Sequence, residues 1–240
     1  MQYDIYEFTN QGGRSYNEDA VGHAVMDGHG IFIVADGLGG HALGEVASAC
    51  VCDTMLEGWS ETCDDRSAWL ESIIEESNKK ILEIQKERDT VLKSTVVALA
   101  IDGENACWAH VGDSRLYFFH KDEIVSVTED HSVAFKKFKA GEITRAQIAT
   151  DDDQSSLLRT LGNEERHSPQ CESLEDSLVP GDAFLLCSDG AWEHFQDEEA
   201  AIDLIKSETA KEWGERLLMR MMDRFSGDND NLTLLAVIVK

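Results

Sequence analysis

Apolar residues in this chain recur with two periods. The stretches at 3–9, 20–26 and 31–35 read as strands, the last apolar at every position and therefore buried on both faces. Residues 42–58 repeat Leu43, Val46, Ala47, Cys50, Val51, Thr54 and Met55 at helical spacing. Residues 66–88 place Trp69, Leu70, Ile73, Ile74, Ile81 and Ile84 on one side, with Glu and Lys opposite. Both segments read as amphipathic helices. Short strands are expected near 94–101, 105–111, 115–119 and 123–127, separated by turns such as Asp102-Gly103 and Lys121-Asp122. STVVALAI is apolar at both parities, which predicts a strand with two covered faces. Residues 131–154 are polar and charged and read as a mobile excursion ending in Asp151-Asp152-Asp153. Strand-like runs return at 156–161, 183–187 and 232–239. A last helix, about 209–225, aligns Trp213, Leu217, Leu218, Met221, Met222 and Phe225.

This order, two helices, then strands, then a helix, does not alternate as a parallel βαβ fold would. Short strands with tight turns point to antiparallel sheets, and helices with one apolar stripe must cover their outer faces. The expected fold is α+β, a sandwich of two sheets with helices outside.

Composition narrows the function. A chain of 240 residues with 42% hydrophobic content suits one domain with a large core, and its two prolines mark no linker. The excess of 47 acidic over 21 basic residues, a formal charge of −26, disfavours nucleic acid and acidic membranes as partners. The six cysteines show no zinc-type pairing and read as free thiols in a reducing compartment. The segment MQYDIYEFTN has no basic start or apolar signal core, so a cytoplasmic location is expected. Most of the acidity reads as a solvated surface. Three clusters do not. Asp36 ends the apolar run IFIVADG, Asp189 ends AFLLCSDG, and Asp228 with Asp230 opens GDNDNLTLLAVIV. Carboxylates at the ends of buried strands are costly to leave unpaired, and a hard divalent cation with oxygen ligands is the natural shared partner. A magnesium or manganese site is therefore expected, with a catalytic role.

Taken singly, the remaining motifs are weak. RSYNED (Arg14 to Asp19) reads as a charged turn, ADGLGGH as a strand-to-helix turn, GDSR around Asp113 as a hairpin ion pair, and His131 in EDHS as a polar turn residue. Together and in order, RxxNED, ADGxGGHxxGE, GDSR, EDHS, SDG and DNxT closely resemble the PPM family, the metal-dependent type 2C serine/threonine phosphatases. The resemblance runs from Gly13 to Val239, and the bacterial single-domain branch is the closer match.

That resemblance implies a four-layer α-β-β-α sandwich: a single phosphatase domain over 1–240 with a small flap subdomain about 131–156. It implies two core Mg²⁺ or Mn²⁺ ions. Asp36 would bridge them, Gly37 would offer its carbonyl, Asp189 and Asp230 would bind the other metal, and Glu18 would act directly or through water. Asp130 with Asp189 would form a third, weaker metal site. Arg14 would hold substrate phosphate, and Asp19, Asp113, Asn231 and His41 would support the ligands. The reaction implied is hydrolysis of phosphoserine and phosphothreonine in proteins by metal-activated water, without a phosphoenzyme. A cognate bacterial Ser/Thr kinase and a monomeric state are further expectations. The chain departs from many eukaryotic members by carrying Leu38 where they have a histidine proposed as general acid, and by DDDQSS where related flaps often carry His and Pro. The rival readings are a phosphohydrolase of small phosphate esters and a non-catalytic phosphoprotein-binding pseudophosphatase.

Overall fold

The computed structural model describes residues 1–38, 43–63 and 65–240. Along the chain lie β1 (Tyr3–Asn10), β2 (Asp19–Met26), β3 (His29–Leu38), α1 (Gly44–Gly58), α2 (Arg66–Arg88), β4 (Lys93–Ser94), β5 (Val96–Asp102), β6 (Asn105–Val111), β7 (Arg115–His120) and β8 (Glu123–Val127). They are followed by α3 (Val133–Lys139), a 3-10 turn (Arg145–Thr150), β9 (Gln170–Ser173), β10 (Ala183–Cys187), α4 (Asp189–Trp192), α5 (Asp197–Ile205), α6 (Ala210–Met222) and β11 (Leu232–Val239). One antiparallel sheet has the order β1-β11-β10-β7-β8 and the other β2-β3-β5-β6-β9, with β4 paired to the end of β3.

The two-parity apolar pattern has a direct cause. Phe32, Val34, Val97, Leu99, Trp108, Phe118, Phe184, Leu186, Leu235 and Val237 point between the sheets and form the central core. Their alternates point outward. Ile31, Ile33, Ala98 and Ala100 meet Val51, Met55, Leu70 and Ile74 of α1 and α2. Leu185, Tyr117 and Ala236 meet Leu204, Trp213 and Leu217 of α5 and α6. Each central strand thus feeds two cores, as strand alternation requires. The result is the α-β-β-α layering. Trp213 anchors the outer core: it is fully buried, stands edge-on to Phe119 at 5.2 Å and donates from Nε1 to the Ala200 carbonyl.

The helix ends follow local capping chemistry. Asp65 accepts from Ala68 N at the start of α2, Ser132 from Phe135 N at α3, and Thr209 from Glu212 N at α6. No described helix is long and apolar enough to cross a membrane.

Four elements differ from expectation. Residues 156–161 form no strand and make only isolated bridges, Leu157 to Ser132 and Leu161 to Ser94. The segment is strung between two partners and has no continuous edge to pair with. Its expected place beside the sheet is taken by β9, whose short polar sequence QCES carries little strand signal but pairs with Cys107–His110 of β6. The polar excursion contains α3, and α5 was not anticipated, because it buries only Ala200, Asp203 and Leu204.

Ionic contacts tie α5 to α6. Arg220 forks onto Asp203 at 2.8 and 2.9 Å, and Arg224 onto Glu199 at 2.7 and 2.8 Å. The Arg224 guanidinium is the main cause that pulls the Glu199 carboxyl down to about 2. A depressed folded pKa contributes stability above the unfolded value, near 4.5, that is lost as pH falls towards 2. Glu199→Gln should therefore lower the melting temperature at pH 7 and do so progressively less below about pH 4. The pair is partly exposed, so the effect should be about 1 kcal/mol or less. A difference that persisted unchanged at pH 2.5 would assign the effect to the α5 cap instead.

Candidate active site

At one end of the central layer the apolar side chains give way to carboxylates. Asp36 has the parity of Phe32 and Val34, so its side chain enters the space between the sheets. Its antiparallel partner is Asp19, directly opposite on β2. Like charges opposite each other destabilise a strand pair and call for a counter-charge. The backbone at Asp36 is tightly held. Its N–H donates to Thr95 Oγ1 at 3.0 Å, and its carbonyl accepts from Thr95 N at 2.8 Å and Ser94 Oγ at 3.0 Å. Gly37 follows, where a Cβ would lie 2.2 Å from the Gly44 carbonyl oxygen and 2.5 Å from that of Glu18. Only glycine permits this approach of β3 to the start of α1. Glu18 Oε1 accepts from Gly44 N at 3.0 Å.

Asp189 follows β10 and opens α4, and Asp230 stands just before β11, the neighbour of β10 in the sheet. Asn231 is buried and fully used: Oδ1 accepts from Glu18 N at 2.8 Å, and Nδ2 donates to the carbonyls of Gln11 at 2.9 Å and Tyr16 at 2.8 Å. One amide thus fastens both Glu18 and the loop that carries Arg14. Arg14 is exposed at the mouth, with Nη2 2.7 Å from Asp230 Oδ2. Asn231→Ala should leave three backbone groups short of partners and cost roughly 1–3 kcal/mol. Thermal melts and metal titration should show both lower stability and weaker metal binding. A melt identical to the wild type would remove Asn231 from this role.

The GDSR and EDHS motifs meet. Gly112 N donates to His131 Nδ1 at 3.2 Å, His131 N donates to the Gly112 carbonyl at 2.8 Å, and His131 stacks on His110 at 4.5 Å. Burial, then His110 and Arg159, push the His131 imidazole down to about 3, so the ring is neutral. This clamp holds Asp113, whose carbonyl accepts from Trp192 Nε1 at 2.9 Å. Asp113 is buried, and its carboxyl is raised by burial and by the charges of Asp189 and Asp130. Asp130, expected as a metal ligand, is otherwise engaged: Arg115 Nε and Nη2 take its two oxygens at 2.8 and 2.7 Å. Arg115 in turn lies 3.5 Å over the Trp192 ring. Asp113, expected as a support, is the carboxylate left facing Asp189.

Glu193 was missed by the sequence reading. It stands four residues after Asp189, one helical turn on, and that spacing in SDGAWE is the available signal. Burial and the charges of Asp189 and Asp230 push its carboxyl up to about 8. Gln154, from the end of the excursion, donates to Glu193 Oε1 and also reaches Asp189. His41 and the glycines at 39 and 40 lie outside the described residues.

Charge is concentrated here without relief. Burial is the main cause that raises Asp36, Asp189, Asp19 and Glu18, with neighbouring carboxylates adding to it, and Asp19 reaches about 7. The Asp189 charge is the largest contribution after burial to the rise of the Asp36 carboxyl, so the two acids sit close together. Asp19 Oδ2 accepts from Ser188 Oγ at 2.8 Å, while its Oδ1 is buried without a partner among the described residues. Among the described residues no three acidic, His or Cys side chains form a ready-made cage. The donor set is nevertheless all oxygen, and a buried orphan oxygen beside closely placed carboxylates is what hard divalent cations would satisfy.

A family profile for protein phosphatase 2C matches residues 10–223. The chain belongs to the protein phosphatase 2C family. It is 32% identical to "Serine/threonine phosphatase stp" of Listeria innocua over 96% of this chain and 94% of that protein. Its fold superposes on the serine/threonine phosphatase of S. agalactiae with a TM-score of 0.87 and 29% identity over 100% of both chains. The catalytic domain of the serine/threonine protein phosphatase PstP, solved in complex with two manganese ions, matches with a TM-score of 0.84 and 26% identity over 99% of both chains.

Proposed function

We propose that this chain is a Mg²⁺- or Mn²⁺-dependent phosphatase that hydrolyses phosphoserine and phosphothreonine in proteins. The observation that carries the reading is the group of carboxylates at the end of the central layer, Asp19 and Asp113 buried and Asp36 and Asp189 half-buried, the last two paired with no described cationic side chain, with Arg14 at the mouth. Family membership and the named activity of the relatives support it. Asp36, Asp189, Asp230, Glu18 and the Gly37 carbonyl would hold two ions. Asp113 and Glu193, with Asp189, offer a third position, in place of Asp130. When bound, the ions supply Lewis-acid stabilisation and a water of lowered pKa as nucleophile.

The protein's own groups do the rest. Arg14 presents a planar fork of donors suited to two phosphate oxygens, and substrate phosphate would compete with Asp230 for it. The Ser94–Thr95 contacts hold Asp36 so that no reorganisation is needed during the reaction. Leu38 offers no proton, so the leaving alkoxide takes one from water. In this reading residues 131–156 act as a flap that Gln154 ties to Glu193. The free cysteines suit a reducing cytoplasm, where a single-domain, monomeric phosphatase would oppose a Ser/Thr kinase.

The test is a titration of the metal-stripped protein with Mn²⁺ and Mg²⁺ against a phosphothreonine peptide, an aryl phosphate and a panel of sugar phosphates. Metal-dependent turnover of the peptide, at a kcat/KM above that for the sugar phosphates, is expected. Preference for the sugar phosphates would make the chain a small-ester phosphohydrolase, and silence with every substrate would make it a binding protein.

A further inference from the structure

About half of the basic side chains of this strongly acidic chain are matched to acids, and three of the unmatched ones gather around one groove. A groove of about 680 Å³ lies between α3 and the segment 158–170. Its wall carries Lys136, Lys139, Arg159 and Arg166. Lys139 is paired with Glu129. Lys136, Arg159 and Arg166 have no carboxylate within ion-pair distance among the described residues. By contrast Lys137, one residue along α3, holds Asp151 and Asp153 at 2.7 and 2.8 Å on the flap side.

The acids of the groove do not cancel this charge. Asp130 is occupied by Arg115, Glu129 by Lys139, and Glu165 alone is left. Arg159 is held in place without neutralisation: Nη1 donates to the Ser168 carbonyl at 3.3 Å and lies 3.2 Å from His131 Nε2. Gly112 N meets the other ring nitrogen of His131. A neutral imidazole accepts at only one nitrogen, so the Arg159 guanidinium is left with donors to spare. Gln170 and Ser168 add further polar groups. The molecule as a whole repels anions, but at physiological salt charges act over about 8 Å, so the groove's own charges decide what it holds.

We propose that this groove binds an acidic segment of the phosphoprotein substrate, away from the phosphate being hydrolysed, and so selects substrates with acidic flanks. The inference rests on the protein phosphatase reading above and deepens it. Charge complementarity names the occupant: a run of Asp, Glu or additional phosphorylated residues matches three unpaired cations on an otherwise negative molecule.

The experiment compares the wild type with Lys136→Glu/Arg166→Glu, both exposed positions outside the carboxylate site. The substrates are an aryl phosphate, a phosphothreonine peptide with Ser/Gly flanks, and two phosphothreonine peptides with an acidic run on one side or the other. At least one acidic peptide should be preferred by the wild type, and the double variant should lower its kcat/KM about tenfold through KM, an effect that shrinks as salt is raised. Turnover of the aryl phosphate and the neutral peptide should change less than about twofold, since neither reaches the groove. Equal losses on all substrates, or no loss on either acidic peptide, would overturn the proposal. The anisotropy of fluorescein-labelled acidic peptide reads the groove even if no substrate is turned over, a result that would sink the phosphatase reading alone. Binding lost in the double variant supports the groove, and unchanged binding rejects it. Displacement of the peptide by inorganic phosphate at equal concentration would reassign the groove to a small anion.

Discussion

Asp36→Asn should abolish turnover and, at the same time, stabilise the metal-free protein. The substitution keeps the volume but replaces one of two acids facing each other across β2 and β3 with a neutral amide. Burial and the Asp189 charge raise the Asp36 carboxyl well above its ordinary range, so folding has to neutralise or desolvate this acid, a cost that the amide avoids. Loss of a charged ligand at the reacting centre should cost on the order of 10³-fold or more in kcat, the scale of a deleted electrostatic stabiliser. Relief of that cost should raise the metal-free melting temperature by a few degrees, worth about 1 kcal/mol. The wild type should gain about 2.7 kcal/mol from Mn²⁺ at a hundred times its dissociation constant, and the variant clearly less. Calorimetry with and without Mn²⁺, beside the phosphatase assay, reads all three effects. Wild-type turnover in the variant, or an undiminished Mn²⁺ shift, would refute Asp36 as a ligand.

Arg14→Ala should separate phosphate handling from metal binding. In the structure Arg14 is exposed and paired to Asp230 at 2.7 Å, an expected metal ligand. Its removal frees that carboxylate, so affinity for Mn²⁺ should hold or rise. The reaction loses a charge-assisted fork on the phosphate, which should cost roughly 2–4 kcal/mol of transition-state binding, or about 30- to 1000-fold in kcat/KM. Arg14→Lys should recover only part of this, because an ammonium cannot make the two-pronged contact. If both variants matched the wild type in kcat/KM while binding Mn²⁺ normally, Arg14 would be a surface charge that merely neutralises Asp230.

The two assignments differ in how they could be read. Asp36 was legible because an apolar run that ends in a carboxylate is an energetic anomaly in any fold. Arg14 was legible only through the order of motifs, since a charged turn is ordinary and its partner lies 216 residues away. Asp113 and Asp130 show where such reasoning stops. Each follows a strand in a polar turn, and nothing local says which will be free. The choice falls to Arg115, whose parity on β7 carries its guanidinium to Asp130 and Trp192 and leaves Asp113 facing Asp189. Glu193 depends likewise on α4 beginning at Asp189, because one turn of helix brings the two acids to the same side.

By itself the sequence determined the layers. Two-parity apolar strands cannot be stable unless both faces are covered, and one-stripe helices cannot be stable unless that stripe is, so the α-β-β-α sandwich follows from burial alone. It also showed that carboxylates gather at strand ends, the pattern that led to the expectation of a hard cation. The tertiary structure decided what depends on distant segments meeting. It paired Asp19 with Asp36, tied Glu18 and the Arg14 loop to Asn231, bound Asp130 to Arg115, and left Lys136, Arg159 and Arg166 without a carboxylate partner among the described residues around one groove. The physical reason is that burial acts on each side chain's own apolar surface and leaves a periodic trace in sequence, whereas a charge is free or neutralised only by what the rest of the chain brings within a few ångströms of it.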